Sequence, residues 1–517
     1  MSVIEKKYNQ LRLSDEYLKN PLLMAMAWKK ASDYIRTTNW YADHFELDQS
    51  ALNLAQCCEE WVTDIDDEIK FKNLQLVPAP KSQQWTFSES QCSVARHDVT
   101  TDLDSDELLN FCIEWRPNDE EDEVKLRPLA HISIKEQSIM TLIMMCLANE
   151  VETLQGDPST DYDKAHEKEI VSYGNRLYCK YDSDGNADHS YGATTIYSKY
   201  FIDYRKFLQR PYHFANKELS EITPDEEIYL IELDLSQFFD LVDRSTLLEK
   251  IQNIARDIQS SLSGTETKSV DFVLKAFEEW EWSPEANKSY SLCETSAVSE
   301  APKGLPQGLV ASGFLSNVYM LDFDSSMQKR IGQKTELDQL SYFTKNKSAG
   351  EKFSPFDIRI VDYCRYVDDM RLVVVGPSRK SYGKSPIEEI KLNISALIEK
   401  ELENLKLKLN PKKAKVEVFR GKSSGISKTL EEIQSKASGP ISLQDTDEQL
   451  NQLESLLILS GNNTVQQSGE NCKINRLALI ERNVFDIRED TLKRFAANKI
   501  SLMLAKKRHF TARDTDE

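Results

Sequence analysis

Apolar residues recur at helical spacing in LLMAMAWKKASDYI (22–35) and ALNLAQCCEEWV (51–62), so residues 1–100 read as mainly helical. From Arg127 a short strand passes into a long apolar helix in RPLAHISIKEQSIMTLIMMCLANEVETL. SYGNRLYCKYDSDGNADHSYG (172–192) is rich in Gly, Asn, Asp and Ser and predicts a hairpin or ordered loop. EEIYLIELDL (226–235) alternates into a strand ending at Asp234, with a helix after it, and 245–300 read as mostly helical. In YCRYVDDMRLVVVG (363–376) a β-branched run stops at Gly376-Pro377, which predicts a hairpin with Asp368 and Asp369 at its tip. IEEIKLNISALIEKELENLKLKL (387–409) is amphipathic, 421–440 reads as a hinge, and a helical C-terminal region closes with LKRFAANKISLMLAKKR.

Composition narrows the picture. The 517 residues suffice for two to four domains, 29% are charged, and no apolar run reaches the ~20 residues a membrane helix needs. The N-terminus lacks a basic-then-apolar leader, and nine scattered cysteines without a CxxC pair imply reduced thiols in a cytoplasmic setting. The net charge of −20 argues against nonspecific nucleic-acid binding. The charge is uneven, however: 101–125 holds ten acids against two bases and reads as an acidic loop, while 377–428 holds thirteen Lys and Arg against six acids.

The carboxylates are the chemical signal. Two adjacent acids inside an apolar hairpin cost several kcal/mol unless a cation or exposure compensates them. Asp234 ends another strand, and adjacent strand ends would bring it beside Asp368. Three such carboxylates call for divalent cations, and two Mg²⁺ would make them a clamp for phosphoryl displacement. Between the strands, KGLPQGLVASGFLSNVYMLDFD (303–324) has Gly304, Pro306 and Gly308 permitting close backbone approach, then a helical pattern with Ser312, Ser316 and Asn317 among apolar residues.

The ordered set DLSQFFD, LPQGLVASGFLSNVY and YVDD resembles palm motifs A, B and C of reverse transcriptases. The resemblance spans roughly residues 125–420. It implies an α+β right-hand polymerase: an N-terminal extension (1–124), fingers (125–227), a palm of antiparallel sheet plus helices (228–420, with a helical insert at 245–300), and a helical thumb-like domain (421–517). It implies two Mg²⁺ ions, or Mn²⁺ in their place, on Asp234 and Asp368 with the Leu235 carbonyl helping. Asp369 is the supporting acid, by ligation or by charge. Phe239 resembles the aromatic gate that excludes a ribose 2′-hydroxyl and so favours dNTPs, although Phe238 is adjacent. Gln307 resembles the motif B glutamine beside the nucleotide. In LKLKLNPKKAKVEVF, Lys413 best matches the motif D lysine that protonates pyrophosphate, with Lys412 and Lys415 as alternatives. Arg127 and Lys135 match loosely the fingers bases that grip a triphosphate. Gly308, Tyr366 and Arg176 fall where template and primer are contacted; Arg176 lies in SYGNRL, where Asn175 departs from the family's usual aromatic.

No clear motif E follows Phe419, and the seven histidines show no ligand spacing. SYGNRL, ANEVETLQGDP (148–158) and the C-terminal LKRFAANKI resemble bacterial stand-alone, defence-associated and abortive-infection reverse transcriptases. That resemblance implies DNA synthesis on an associated noncoding RNA, a DNA product and a homo-oligomer, without a membrane. An untemplated or protein-primed homopolymer synthase is the alternative, and an inactive RNA-binding scaffold a third.

Overall fold

The structure, a computed structural model, describes residues 11–38, 43–66, 74–80, 85–91, 111–117, 126–189, 193–259, 268–290, 302–332, 334–335, 358–379, 386–419, and 494–497, 499–500 and 504. The chain opens with helices α1 (Asp15–Leu18), α2 (Pro21–Thr38), α3 (His44–Leu52) and α4 (Leu54–Thr63). Strands β1 (Gln75–Pro80), β2 (Trp85–Gln91), β3 (Phe111–Pro117) and β4 (Leu126–His131) follow, then α5 (Ile134–Gln155) and α6 (Tyr162–Ala165). Next come β5 (Lys180–Tyr181), β6 (Ala187–Asp188), α7 (Tyr200–Glu218), β7 (Glu226–Asp234), α8 (Phe238–Leu241) and α9 (Arg244–Gln259). Helices α10 (Lys268–Glu278), α11 (Pro284–Ser289) and α12 (Ser312–Lys329) precede β8 (Lys334–Thr335), β9 (Ile358–Tyr366) and β10 (Asp369–Pro377). Helix α13 (Ile387–Leu402) and β11 (Lys415–Phe419) complete the set.

Two compact units share these elements. One comprises Leu13–Ile143 and Gly264–Ser312. In it, Leu23, Met24, Ala27, Ala31 and Ile35 of α2 are buried along one helical stripe. Buried Asp15 accepts from the Ser269 and Val270 amides at 3.0 and 3.2 Å, satisfying donors left open at the start of α10. Strand β1 pairs antiparallel with β4, Gln75 opposite His131. The expected helical stretch therefore ends at Thr63, and residues 75–80 and 85–91 are strands. The expected acidic loop contains a strand too, because β3 pairs with β2. The alternation of Phe111, Ile113 and Trp115 carried that signal, and the acids around it concealed it.

The other unit comprises Met1–Arg12, Met144–Ser263 and Gly313–Glu517. Its centre is a five-stranded antiparallel sheet in the order β11-β7-β10-β9-β8. Val373, Val374 and Val375 are buried in β10, each worth about 1.5–3 kcal/mol of burial. Phe214 and Ala215 of α7 pack on Ile228, Val361, Val373, Val375 and Phe419. Phe207 and Leu208 pack on Ile170, Tyr173 and Cys364. Within 172–189 the hairpin, one of the two expected forms, is present as β5 with β6. Helix α12 buries Phe314, Val318, Tyr319, Met320, Phe323 and Met327 together with the polar Ser316 and Asn317. No helix among the described residues is long and apolar enough to cross a membrane. The expected hinge at 421–440 and nearly all of the expected thumb-like domain lie outside the described residues; 494–497 and 499–500 are helical.

Candidate active site

Strand β9 ends at Tyr366 and β10 begins at Asp369, and these two are register partners. Val367 and Asp368 are thus left as a two-residue tip. Val367 has φ 58°, the conformation such turns usually assign to glycine, and a β-branched side chain there costs roughly 1–3 kcal/mol. Surrounding contacts must over-determine the turn. Arg365, fully buried, donates Nη1–H to the Val367 carbonyl at 2.9 Å. Gly174 lies against the other side: a Cβ there would meet the Val367 nitrogen at 2.5 Å and a Val367 methyl at 2.7 Å. Gly174→Ala therefore has to push the tip away. The DNA synthesis that the motif resemblance implies should then fall about a hundredfold, the scale of a displacement near 1 Å, while helix content by circular dichroism is kept. Unchanged synthesis would separate Gly174 from the site.

On the neighbouring strand, Asp234 is the register partner of Asp369. The Leu235 amide donates to the Asp368 carbonyl at 3.0 Å, so the DLSQFFD segment is tied to the turn itself. The loop before β11 reaches the same place. The Asn410 amide donates to the Asp234 carbonyl at 2.8 Å, and Lys413 Nζ lies 2.8 Å from Asp234 Oδ2. Asp234 is buried, 6% exposed, whereas the Lys413 side chain is 60% exposed. Facing carboxylates in a sheet repel. Lys413, an ammonium on a mobile stem, offsets that for Asp234, and it is Lys413 rather than Lys412 or Lys415 that makes this contact.

Beneath the turn is a polar cluster that the sequence reading did not foresee. The Arg365 guanidinium pairs with Asp324 of α12 at 2.5–3.1 Å and donates to Ser172 Oγ and Asn317 Oδ1. Tyr363 donates its hydroxyl to Asp324 at 3.1 Å. Asn317 Nδ2 donates to the Gly174 and Asn175 carbonyls. Burial works against the charge on Arg365, and adjacent Asp324 outweighs it, so the guanidinium pKa is raised. One signal was legible: Asn317 and Asp324 are seven residues apart, on the same face of a helix that also carries the apolar Phe314, Val318, Tyr319, Met320 and Phe323.

The remaining expected residues separate. Phe238 is 3% exposed and Phe239 half-buried, their rings edge-to-face at 5.3 Å, so Phe239 is the ring that faces outward of the two. Tyr366 packs its ring on Tyr204 and Phe207, and burial raises its phenol pKa well above the ordinary value. Arg176 lies inside the protein. Its guanidinium pairs with buried Glu152 at 2.8 Å and donates to the Ser172 carbonyl, the Gly156 carbonyl and the Tyr181 hydroxyl. Such a group holds the SYGNRL loop and offers nothing to a template. Asn175 has φ 52°, a left-handed backbone that asparagine adopts more readily than most other residues.

Gln307, Gly308, Arg127 and Lys135 belong to the unit of Leu13–Ile143 and Gly264–Ser312. There the Gln307 carbonyl accepts from Ala130 at 2.7 Å, and Gly308 has φ 91°. Exposed Arg127 sits on the same strand, two residues before Leu129, the bridge partner of Gln307. Two separate motifs therefore meet along β4. Lys135 is committed elsewhere, to Asp64 at 3.1 Å.

No group of three or more His, Cys, Asp or Glu among the described residues is arranged to hold a metal by itself. The donor set at the turn still fits Mg²⁺, which takes one or two carboxylates and completes its shell with waters and substrate phosphates. The structure supplies carboxylates at Asp234, Asp368 and Asp369 on one sheet end.

Residues 199–450 match the family model described as reverse transcriptase (RNA-dependent DNA polymerase), an interval that contains Asp234, Phe239, Gln307, Asp368, Asp369 and Lys413. The SYGNRL loop lies outside it. Protein YkfC of Escherichia coli (strain K12) is 25% identical over 193 residues, 36% of this chain and 43% of that protein. The chain thus spans less than half of that relative. The solved structure of apo telomerase from Candida tropicalis, truncated from the C-terminal domain, aligns at 14% identity over 58% of this chain and 49% of that chain, with a TM-score of 0.25.

Proposed function

We propose that the reverse transcriptase domain carried by this chain is an RNA-directed DNA polymerase, with nucleotidyl transfer at the Asp234–Asp368 end of the five-stranded sheet. The observation that carries this reading is the register: Asp234 stands opposite Asp369, with Asp368 in a two-residue turn tied to Leu235. Fingers (125–227), palm (228–420) and thumb (421–517) remain our domain assignments on the motif resemblance. Asp234 and Asp368, with the Leu235 carbonyl and Asp369 in support, would hold two Mg²⁺ ions. When bound, the ions neutralise the carboxylates, activate the attacking hydroxyl and offset charge on the transferred phosphoryl group.

The chain's own residues do the rest. Lys413 is exposed and within reach of Asp234, and in this reading it delivers a proton to the departing pyrophosphate. Arg127 and Gln307 keep the nucleotide-binding assignment that the motif resemblance gives them, while Arg176 is assigned to loop structure. Phe239 blocks a 2′-hydroxyl. Phe239→Ala should raise ribonucleotide incorporation relative to deoxyribonucleotide about tenfold or more, and an unchanged ratio would move the gate elsewhere.

The likeness of SYGNRL and ANEVETLQGDP to defence-associated enzymes supports a role in antiphage defence on an associated noncoding RNA, with a DNA product. The test is a gel with purified full chain, a divalent cation and labelled dNTPs supplied singly and together, before and after RNase and protease treatment. Synthesis that needs the mixture and is lost on RNase pretreatment is expected. Extension from one dNTP that survives RNase would install the untemplated reading, and a protease-dependent shift would add protein priming. No DNA with either Mg²⁺ or Mn²⁺ would overturn the polymerase.

A further inference from the structure

Phe239 rides on a segment that other parts of the chain hold in place. Helix α8 is a single turn of four residues, entered through Gln237 at φ 47°, and is too short to persist on its own hydrogen bonds. Buried Phe238 and Val242 pack it inward, and tethers at either end set where it lies. At its start the Leu235 amide is bound to the Asp368 carbonyl, and the Ser236 amide donates to the Lys408 carbonyl at 2.8 Å. At its far end the Asp243 amide donates to the Tyr319 hydroxyl at 3.2 Å. That hydroxyl donates in turn to the Leu405 carbonyl at 2.7 Å. Lys406 Nζ adds an ion pair with the Asp243 carboxylate at 2.7 Å. Phe239 stands midway between Leu235 and Asp243.

Most of these tethers come from one short stretch. In LKLKLN (405–410) the leucines are buried and the lysines exposed. The stretch is laced to motif A in antiparallel order: Asn410 to Asp234, Leu409 to Leu235, Lys408 to Ser236 and Lys406 to Asp243. Tyr319, fully buried on α12, closes the far end, because one hydroxyl serves there as both acceptor and donor. Asp243 is fixed from its other side as well. Its carboxylate accepts from the Thr246 amide at 2.9 Å and so caps α9.

A steric wall discriminates only as well as it is held still. Site geometry tolerates roughly 0.5 Å of misplacement, so a ring that yields by more admits the hydroxyl it should exclude. We propose, on the reading of Phe239 as the gate, that Tyr319 is a positioning residue for sugar selection. Its hydroxyl, helped by the Lys406–Asp243 pair, fixes the far end of residues 235–243 and with it the Phe239 ring. Tyr319 itself touches no nucleotide.

The experiment places dNTPs and rNTPs in competition for incorporation by the full chain with a divalent cation. It compares wild type, Tyr319→Phe, Phe239→Ala and the double variant. Tyr319→Phe keeps the ring and removes both bonds, and should raise the ribonucleotide ratio about threefold or more. The double variant should rise no further than Phe239→Ala, since a ring already gone cannot be mispositioned. A loss of packing alone lowers both incorporations together and leaves the ratio at wild type; that result, with Phe239→Ala raised, overturns the role of Tyr319. Should Tyr319→Phe fail to fold, the exposed Lys406→Met serves, with a rise of about twofold and wild-type behaviour in Lys406→Arg. A wild-type ratio in Lys406→Met would then count against the tether. Hydrogen exchange reads the tether without DNA synthesis: peptides covering 235–243 and 403–410 should both exchange about fivefold faster in Tyr319→Phe. Unchanged exchange overturns the tether. An unchanged ratio in Phe239→Ala removes the gate and this role with it, but faster exchange would still record the tether, so the two failures are told apart.

Discussion

Asp368→Asn is expected to lower DNA synthesis by the full chain about 10³-fold or more, a loss of roughly 4 kcal/mol in transition-state stabilisation. The change keeps the shape of the side chain and removes one charge from a cluster in which Asp234 faces Asp369. Those like charges repel in the folded protein. Stability should accordingly hold or rise by about 0.2–1 kcal/mol, read as the midpoint of urea unfolding. Activity and stability moving apart is the mark of a residue kept for chemistry. Wild-type synthesis by Asp368→Asn would sink the metal assignment and, with it, the proposed role of the turn.

Arg365→Met is expected to be the most damaging single change outside the carboxylates. It strands the Asp324 carboxylate, 7% exposed on its side chain, without its cation, and breaking such a buried pair costs about 3–5 kcal/mol. It also frees the Val367 carbonyl and so releases a turn that holds a β-branched residue at φ 58°. The double variant Arg365→Met/Asp324→Leu separates the two effects. Replacing the whole pair by apolar groups should restore much of the stability, although Tyr363 loses its acceptor at about 1–3 kcal/mol. Turnover should stay low with the dNTP KM unchanged, because nothing then positions the tip. Recovery of activity along with stability would reduce Arg365 to a packing role.

Much of the site was legible in the residues. The alternation of EEIYLIELD and the valine run after YVDD specified strands, and Gly376-Pro377 closed the second of them. Carboxylates at strand ends pointed to metal-assisted chemistry, and it was the resemblance to motif D that singled out Lys413. The strands at 75–80 and 111–117 were missed because prolines and acids dilute their pattern and because each pairs with a segment well removed in sequence. Arg176 was misplaced for a related reason. Arginine is usually exposed, and only Glu152, some two dozen residues away, turns it into a buried loop anchor.

What the sequence by itself determined is local: period-two runs, a hairpin with the acids Asp368 and Asp369 near its tip, and which side chains carry charge; that the two-residue turn is Val367–Asp368, with Asp369 already in the strand, came from the register. Backbone preference and burial pattern act over a few residues, so they can be read from one segment at a time. Tertiary structure decided the rest. It set Asp234 opposite Asp369, brought Lys413 rather than its neighbours to Asp234, placed Gly174 against Val367, and ran Arg365 to Asp324 on α12. Each of these is a contact between elements distant in the chain. Its energy depends on the desolvation and geometry that packing creates, and no single segment of the sequence contains it.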